Sequence, residues 1–164
     1  YVDDLPPAFA SGNQAHTDEE IATDARRALP HLASRALIQL KAYPTCFNAL
    51  DSNSDPATRE AALRVLRQLH LPEVVTGLIQ RVETTEDAAL RRGLLTSLIR
   101  LYFREAEWDG RSWGTRPDTT GPFYQRTTWP ESPRIEAAVR AALAKSSPAE
   151  ARAMAAQLQL GAGT

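Results

Sequence analysis

Residues 55–104 read DPATREAALRVLRQLHLPEVVTGLIQRVETTEDAALRRGLLTSLIRLYFR, and the spacing of their apolar positions decides the fold class. Asp55-Pro56 is a helix start, because proline in the first turn gives up an N–H that had no partner there. Ala62, Leu63, Leu66 and Leu69 then recur three and four apart, which makes one apolar face of a helix. Leu71-Pro72 breaks the run, and Val74, Val75, Leu78, Ile79 and Val82 supply the face of a second, shorter helix. The break is short, so these two helices are expected to fold back on one another as an antiparallel pair. A third helix follows from Asp87 to about Arg104.

The stretch also repeats itself. Setting Asp55 on Asp87, an offset of 32, pairs Ala57 with Ala89, Arg59 with Arg91, Leu63 with Leu95, Leu66 with Leu98 and Leu69 with Leu101. A fainter echo at an offset of 29 sets Arg35, Leu37, Gln39 and Leu40 beside Arg64, Leu66, Gln68 and Leu69. Helix, tight turn, helix at a period near 30 residues is the pattern of an α-solenoid, whose units have too little apolar face to close a core alone and become stable by stacking. The expectation is an all-α chain built of such pairs.

Outward from this centre the text stays helical. Thr17 with Glu20 fits a capping box, opening a helix to about Leu29, where Pro30 resets the chain. A second run, His31 to about Tyr43, puts Leu32, Ala36, Leu37 and Leu40 on one stripe. Pro44 is read as its end, followed by a short helical piece at Cys46–Leu50. Downstream, Ser132-Pro133 caps a helix to about Lys145, with Ile135, Val139 and Leu143 on its face. Ser147-Pro148-Ala149-Glu150 is a second capping box, for a last helix ending near Leu160 that carries Met154 and Leu158. Residues 1–16, with Pro6, Pro7 and Gly12, read as an extended arm without a signal-peptide pattern, residues 17–160 as the helical repeat domain, and 161–164 as a tail. Opening on YVDDLPP, the chain reads as a piece of a longer protein.

One segment does not belong to a plain helical array. From about residue 105 to 132 the helical period stops, whereas helix–helix connections are usually about two to eight residues. All three tryptophans, Trp108, Trp113 and Trp129, lie there, and Tyr102 to Trp129 holds seven of the chain's eleven aromatics. Disordered linkers are poor in aromatics, so the loop is expected to be ordered, with turns at Arg116-Pro117-Asp118 and Gly121-Pro122. Two roles follow. The aromatics either fold back as extra core, or Trp108, Trp113, Arg116, Asp118, Tyr124 and Trp129 offer a contact surface to a partner, since aromatics and arginine concentrate binding energy. A stacking platform for a sugar or other small molecule is the alternative use of the same residues.

The run WDGRSWGTRPDTTGPFY at 108–124, continuing to Thr128-Trp129, resembles the HEAT-like repeat segment of large exported multidomain proteins of Planctomycetes and related bacteria. In those, a sorbosone-dehydrogenase-like β-propeller precedes the repeats and a c-type cytochrome or heme-binding module follows. The likeness, with LPPAFASGN at 5–13 as the lead-in, covers nearly the whole chain. It implies an armadillo-like α-solenoid in an exported, periplasmic setting beside redox modules, with protein partners: other domains of a parent chain or a redox partner. It carries no catalytic residue onto this segment.

The remaining residues point away from chemistry. The 164 residues include 19 Lys and Arg against 20 Asp and Glu, a net charge of −1. That balance does not suit a protein that mainly grips nucleic acid, although Arg-rich helix faces keep a nucleic-acid-binding solenoid as a third reading. No apolar run approaches the ~20 residues of a membrane-spanning helix. His16, His31 and His70 stand at unrelated spacings, and no metal, heme, phosphate-loop or hydrolase motif appears, so no cofactor and no catalytic site is expected. Asp109 and Asp118 lack the density of acids that a calcium loop needs. The single Cys46 reads as a buried, inert thiol. Glu19-Glu20 and Glu86-Asp87 sit at helix starts, where carboxylates favour the positive dipole end. Arg26-Arg27 and Arg91-Arg92 read as solvated helix positions.

Overall fold

A computed structural model of the chain describes residues 18–52, 54–110, 123, 125–147, 149 and 152. Six helices and one short strand pair fall among them: α1 (Asp18–Gln39), α2 (Tyr43–Asp51), α3 (Pro56–Leu66), α4 (Pro72–Thr84), α5 (Ala88–Leu101), β1 (Arg104–Glu105), β2 (Arg126–Thr127) and α6 (Ser132–Ala144). The described residues are mostly helical, consistent with an all-α fold, and no described helix is long and apolar enough to cross a membrane. Packing divides the chain into residues 1–33 and 34–164. The described part of the first unit is helical throughout, residues 18–33 of α1. Thr17, and the last helix expected after Ser147 save for Ala149 and Arg152, lie outside the described residues.

Two expected boundaries shift at the N-terminal side. Pro30 lies inside α1 rather than between two helices. A proline forfeits one backbone hydrogen bond but has a helical φ, and the Ala-, Arg- and Leu-rich turns on both sides are strong helix formers. Pro44 opens α2 rather than ending its predecessor, again because the first turn does not need its N–H. The stripe expected from Leu32 to Leu40 does not bury as one: Leu29, Leu32 and Leu40 are exposed, and Leu37 packs against the core. α1 closes in a Schellman motif, with Ala42 N–H on Leu37 C=O (2.9 Å), Lys41 N–H on Ile38 C=O (3.0 Å) and Lys41 itself at φ +50°.

In the second unit the core forms where the apolar period predicted. Leu63, Leu66, Val74, Val75, Leu78, Leu94, Leu95, Leu98, Leu101, Ile135 and Val139 are all buried in one cluster. Each such side chain removed from water contributes about 1.5–3 kcal/mol. Asp55 and Asp87 cap α3 and α5 in the same way. Asp55 Oδ1 accepts from Ala57 N–H (2.9 Å) and Thr58 N–H (3.0 Å), and Asp87 Oδ1 from Ala89 N–H (2.8 Å) and Leu90 N–H (3.1 Å).

The helix pairing differs from the expected one. The closest partners are α2 with α3 and α4 with α5, while α3 also packs on α5 and α6 on both α5 and α4. α3 and α4 are not such a pair, because the five residues Arg67–Leu71 between them carry the chain onward from one pair to the next. Helices two apart in sequence are joined by polar staples. Arg81 reaches from α4 to Asp51 of α2 (Nε to Oδ1, 2.8 Å), Arg59 of α3 to Asp87 at the start of α5 (3.4 Å), and Arg134 of α6 to Thr76 of α4 (2.9 Å). Gly77 of α4 lies so close to the Phe47 ring of α2 that a methyl group there would overlap it.

Candidate functional site

The long α5–α6 connection was expected to hold the site, and the described parts are its two ends. α5 stops at Leu101, three residues before the expected Arg104, because Arg104 and Glu105 leave the helix as β1. Beyond a helix end the last carbonyls need partners from elsewhere. Here three successive ones are met by three side chains from different places. Trp129 Nε1–H donates to Leu101 C=O (2.7 Å), Ser132 Oγ–H to Tyr102 C=O (2.7 Å), and His70 Nε2–H to Phe103 C=O (2.8 Å). Ser132 Oγ in turn accepts the Trp129 backbone N–H at 2.9 Å. A carbonyl can only accept, so the proton of neutral His70 sits on Nε2.

This clamp bears on two expectations. Of the two roles open to the loop aromatics, Trp129 takes the core one, only 8% exposed. Its indole packs in the core cluster while its N–H answers the helix end. Ser132 does not cap α6 with its side chain, since its hydroxyl is committed to Tyr102 and Trp129.

Rings and charges surround the clamp. His70 meets Trp129 edge-on at 5.5 Å between centroids and Phe123 at 6.0 Å. The Arg100 guanidinium lies 4.2 Å above the Phe123 ring. Burial lowers the pKa of His70, and the positive charges of Arg100 and Arg104 lower it further, against the opposing pull of the Phe103 and Gln68 carbonyls. Arg100 is lowered as well, first by its burial and then by Arg126 and Arg67. Across the connection, β1 and β2 pair antiparallel, with Arg104 opposite Thr127 and Glu105 opposite Arg126. Ala106 N–H on Gln125 C=O (2.8 Å) and Gln125 N–H on Glu105 Oε1 (2.7 Å) extend the closure by one more step.

Of the expected contact residues, Trp108 follows this neck and is 40% exposed. Trp113, Arg116, Asp118 and Tyr124 lie outside the described residues, as do the turns expected at 116–118 and 121–122. Sequence reasoning missed His70, Ser132, Phe123 and Arg100 as members of this assembly. Their partners come from distant parts of the chain, so no local pattern marks them.

Cys46 is buried, and that burial pushes its thiol pKa up, which keeps it un-ionised and unreactive. Among the described residues no group of three or more His, Cys, Asp or Glu side chains could hold a metal ion. No family model, no curated protein and no solved structure matches this chain.

Proposed function

We propose that this chain is a non-catalytic helical-repeat scaffold, an α-solenoid of HEAT-like helix pairs that docks other domains or a redox partner within a larger exported, periplasmic protein. The contact surface is the aromatic connection between α5 and α6, outward from Trp108. The packing of α3 on α5 and of α4 on α6 supports the solenoid reading, since stacked pairs bring together helices two apart in sequence. The matching caps at Asp55 and Asp87 support it from the sequence side.

The observation that carries the docking role is the clamp of Trp129, Ser132 and His70 on the end of α5. Ordering a long connection costs conformational entropy, and a connection held at both ends brings its exposed aromatic to a partner with part of that cost already met. The test is binding of the neighbouring domains, supplied in trans, to the wild-type segment and to a Trp108→Ala/Trp113→Ala variant. The expected result is a loss of at least about tenfold in affinity with far-UV circular dichroism unchanged. Unchanged affinity rejects the docking surface, and a loss of helicity assigns those tryptophans to the core instead.

A further inference from the structure

We propose that a cavity between α4, α5 and α6 binds a small amphiphilic anion, a carboxylate or phosphate monoester with a short apolar body. The cavity measures about 240 Å³, against the ~150 Å³ that suffices for benzene in an engineered protein core. Its space comes from α6, where Ala138, Ala141 and Ala142 share one face and leave room above Ile79 and Val82 of α4. Its walls also carry Arg91, Arg92 and Lys145 against the one carboxylate of Glu83.

Among the described residues these three cations have no carboxylate partner. Arg59, Arg67, Arg81, Arg134 and Arg140 each pair with a carboxylate. Among the described residues Arg92, Lys145 and Glu83 form no ion pair, and Arg91 donates to the Thr85 carbonyl rather than to an acid. The repeat makes the contrast specific. Arg59 at the equivalent position pairs with the Asp87 carboxylate, whereas Arg91 donates to a backbone carbonyl, and Glu83 on the same wall forms no ion pair with it. Arg91 is half-buried, so the expectation of a solvated position does not hold for it. A charge there interacts more strongly than one in open water, and guanidinium matches the planar oxygens of carboxylate and phosphate. The apolar floor and cationic wall together ask for a ligand with both characters.

The test is titration of the full chain, followed by backbone amide NMR, with octanoate, octyl phosphate, 1-octanol and inorganic phosphate as probes. Saturable binding of octanoate or octyl phosphate is expected, with shifts at Arg91, Arg92, Ala138 and Lys145. The ratio of the two affinities tells which anion the site prefers. Octanol and inorganic phosphate should each bind at least about tenfold more weakly, and Arg91→Gln/Lys145→Gln should lose about tenfold for the anions. Both substituted residues are at the surface or half-buried, so the fold should survive; Ala138→Leu, which fills the cavity, should abolish binding of every probe. Octanol binding as well as octanoate, shifts confined to the surroundings of Trp108, or no saturation by about 10 mM would overturn the assignment. The docking surface lies on a different set of residues, so failure of this site leaves that reading to its own test.

Discussion

α3 and α5 begin alike and end differently. Each starts on an aspartate whose carboxylate takes two backbone N–H groups, and each buries leucines at matched positions. At the far end α3 closes on its own backbone: Arg67 N–H bonds Leu63 C=O (3.0 Å), Gln68 N–H bonds Val65 C=O and Leu69 N–H bonds Leu66 C=O (3.1 Å each). α5 instead hands Leu101, Tyr102 and Phe103 to side chains that lie 28, 30 and 33 positions away. A locally closed end lets the chain continue straight into the next helix. An end closed by distant side chains brings the two described ends of the connection together, and His70, just past α3, ties the end of one helix to that of the other.

The comparison can be broken most severely at Trp129. Trp129→Ala removes a buried ring and leaves Leu101 C=O unpaired, and denaturant titration should show a loss of about 3–5 kcal/mol. The same experiment on Trp129→Phe should recover most of the packing but not the hydrogen bond. Ser132→Ala strips partners from both Tyr102 C=O and the Trp129 N–H, for an expected loss of about 1–3 kcal/mol. If that variant is as stable as wild type, the end of α5 is satisfied by water and the contrast with α3 disappears. Gly77→Ala tests the stack rather than the clamp: overlap with Phe47 should cost about 1–3 kcal/mol, seen as an earlier thermal midpoint.

Acid sharpens the comparison further. His70 has a folded-state pKa below its unfolded value of about 6.5. The stability it allows is therefore fully present above the unfolded value and is lost as pH falls through the folded one. Titration should show unfolding free energy declining below about pH 6.5 in the wild type and a flatter profile in His70→Gln. An unchanged slope in the variant would detach His70 from the clamp. Smallest of all, Lys41→Gly relieves a left-handed backbone at the locally closed end of α1 and should raise stability by up to about 1 kcal/mol.

Much of this was legible in the residues. Asp55-Pro56, Asp87 and the leucine period located α3, α4 and α5, because caps and helical faces depend on neighbours within a turn or two. Pro30 and Pro44 were misread, since a proline's missing N–H disfavours a helix interior without forbidding it and suits a first turn. The aromatic density of 102–129 marked the connection as unusual, but not which tryptophan would be core.

What the sequence determined by itself is α3, α4 and α5, with the aspartate caps of α3 and α5 and the apolar faces all three bury, all consequences of contacts within a few residues. Tertiary structure alone decided that α3 pairs with α2 rather than α4, that Trp129, Ser132 and His70 meet on three consecutive carbonyls, and that Arg91 borders a cavity while Arg59 finds an acid. Those outcomes depend on which elements pack together, several of them on groups some thirty residues apart, and no local propensity can choose among such partners until the helices have packed.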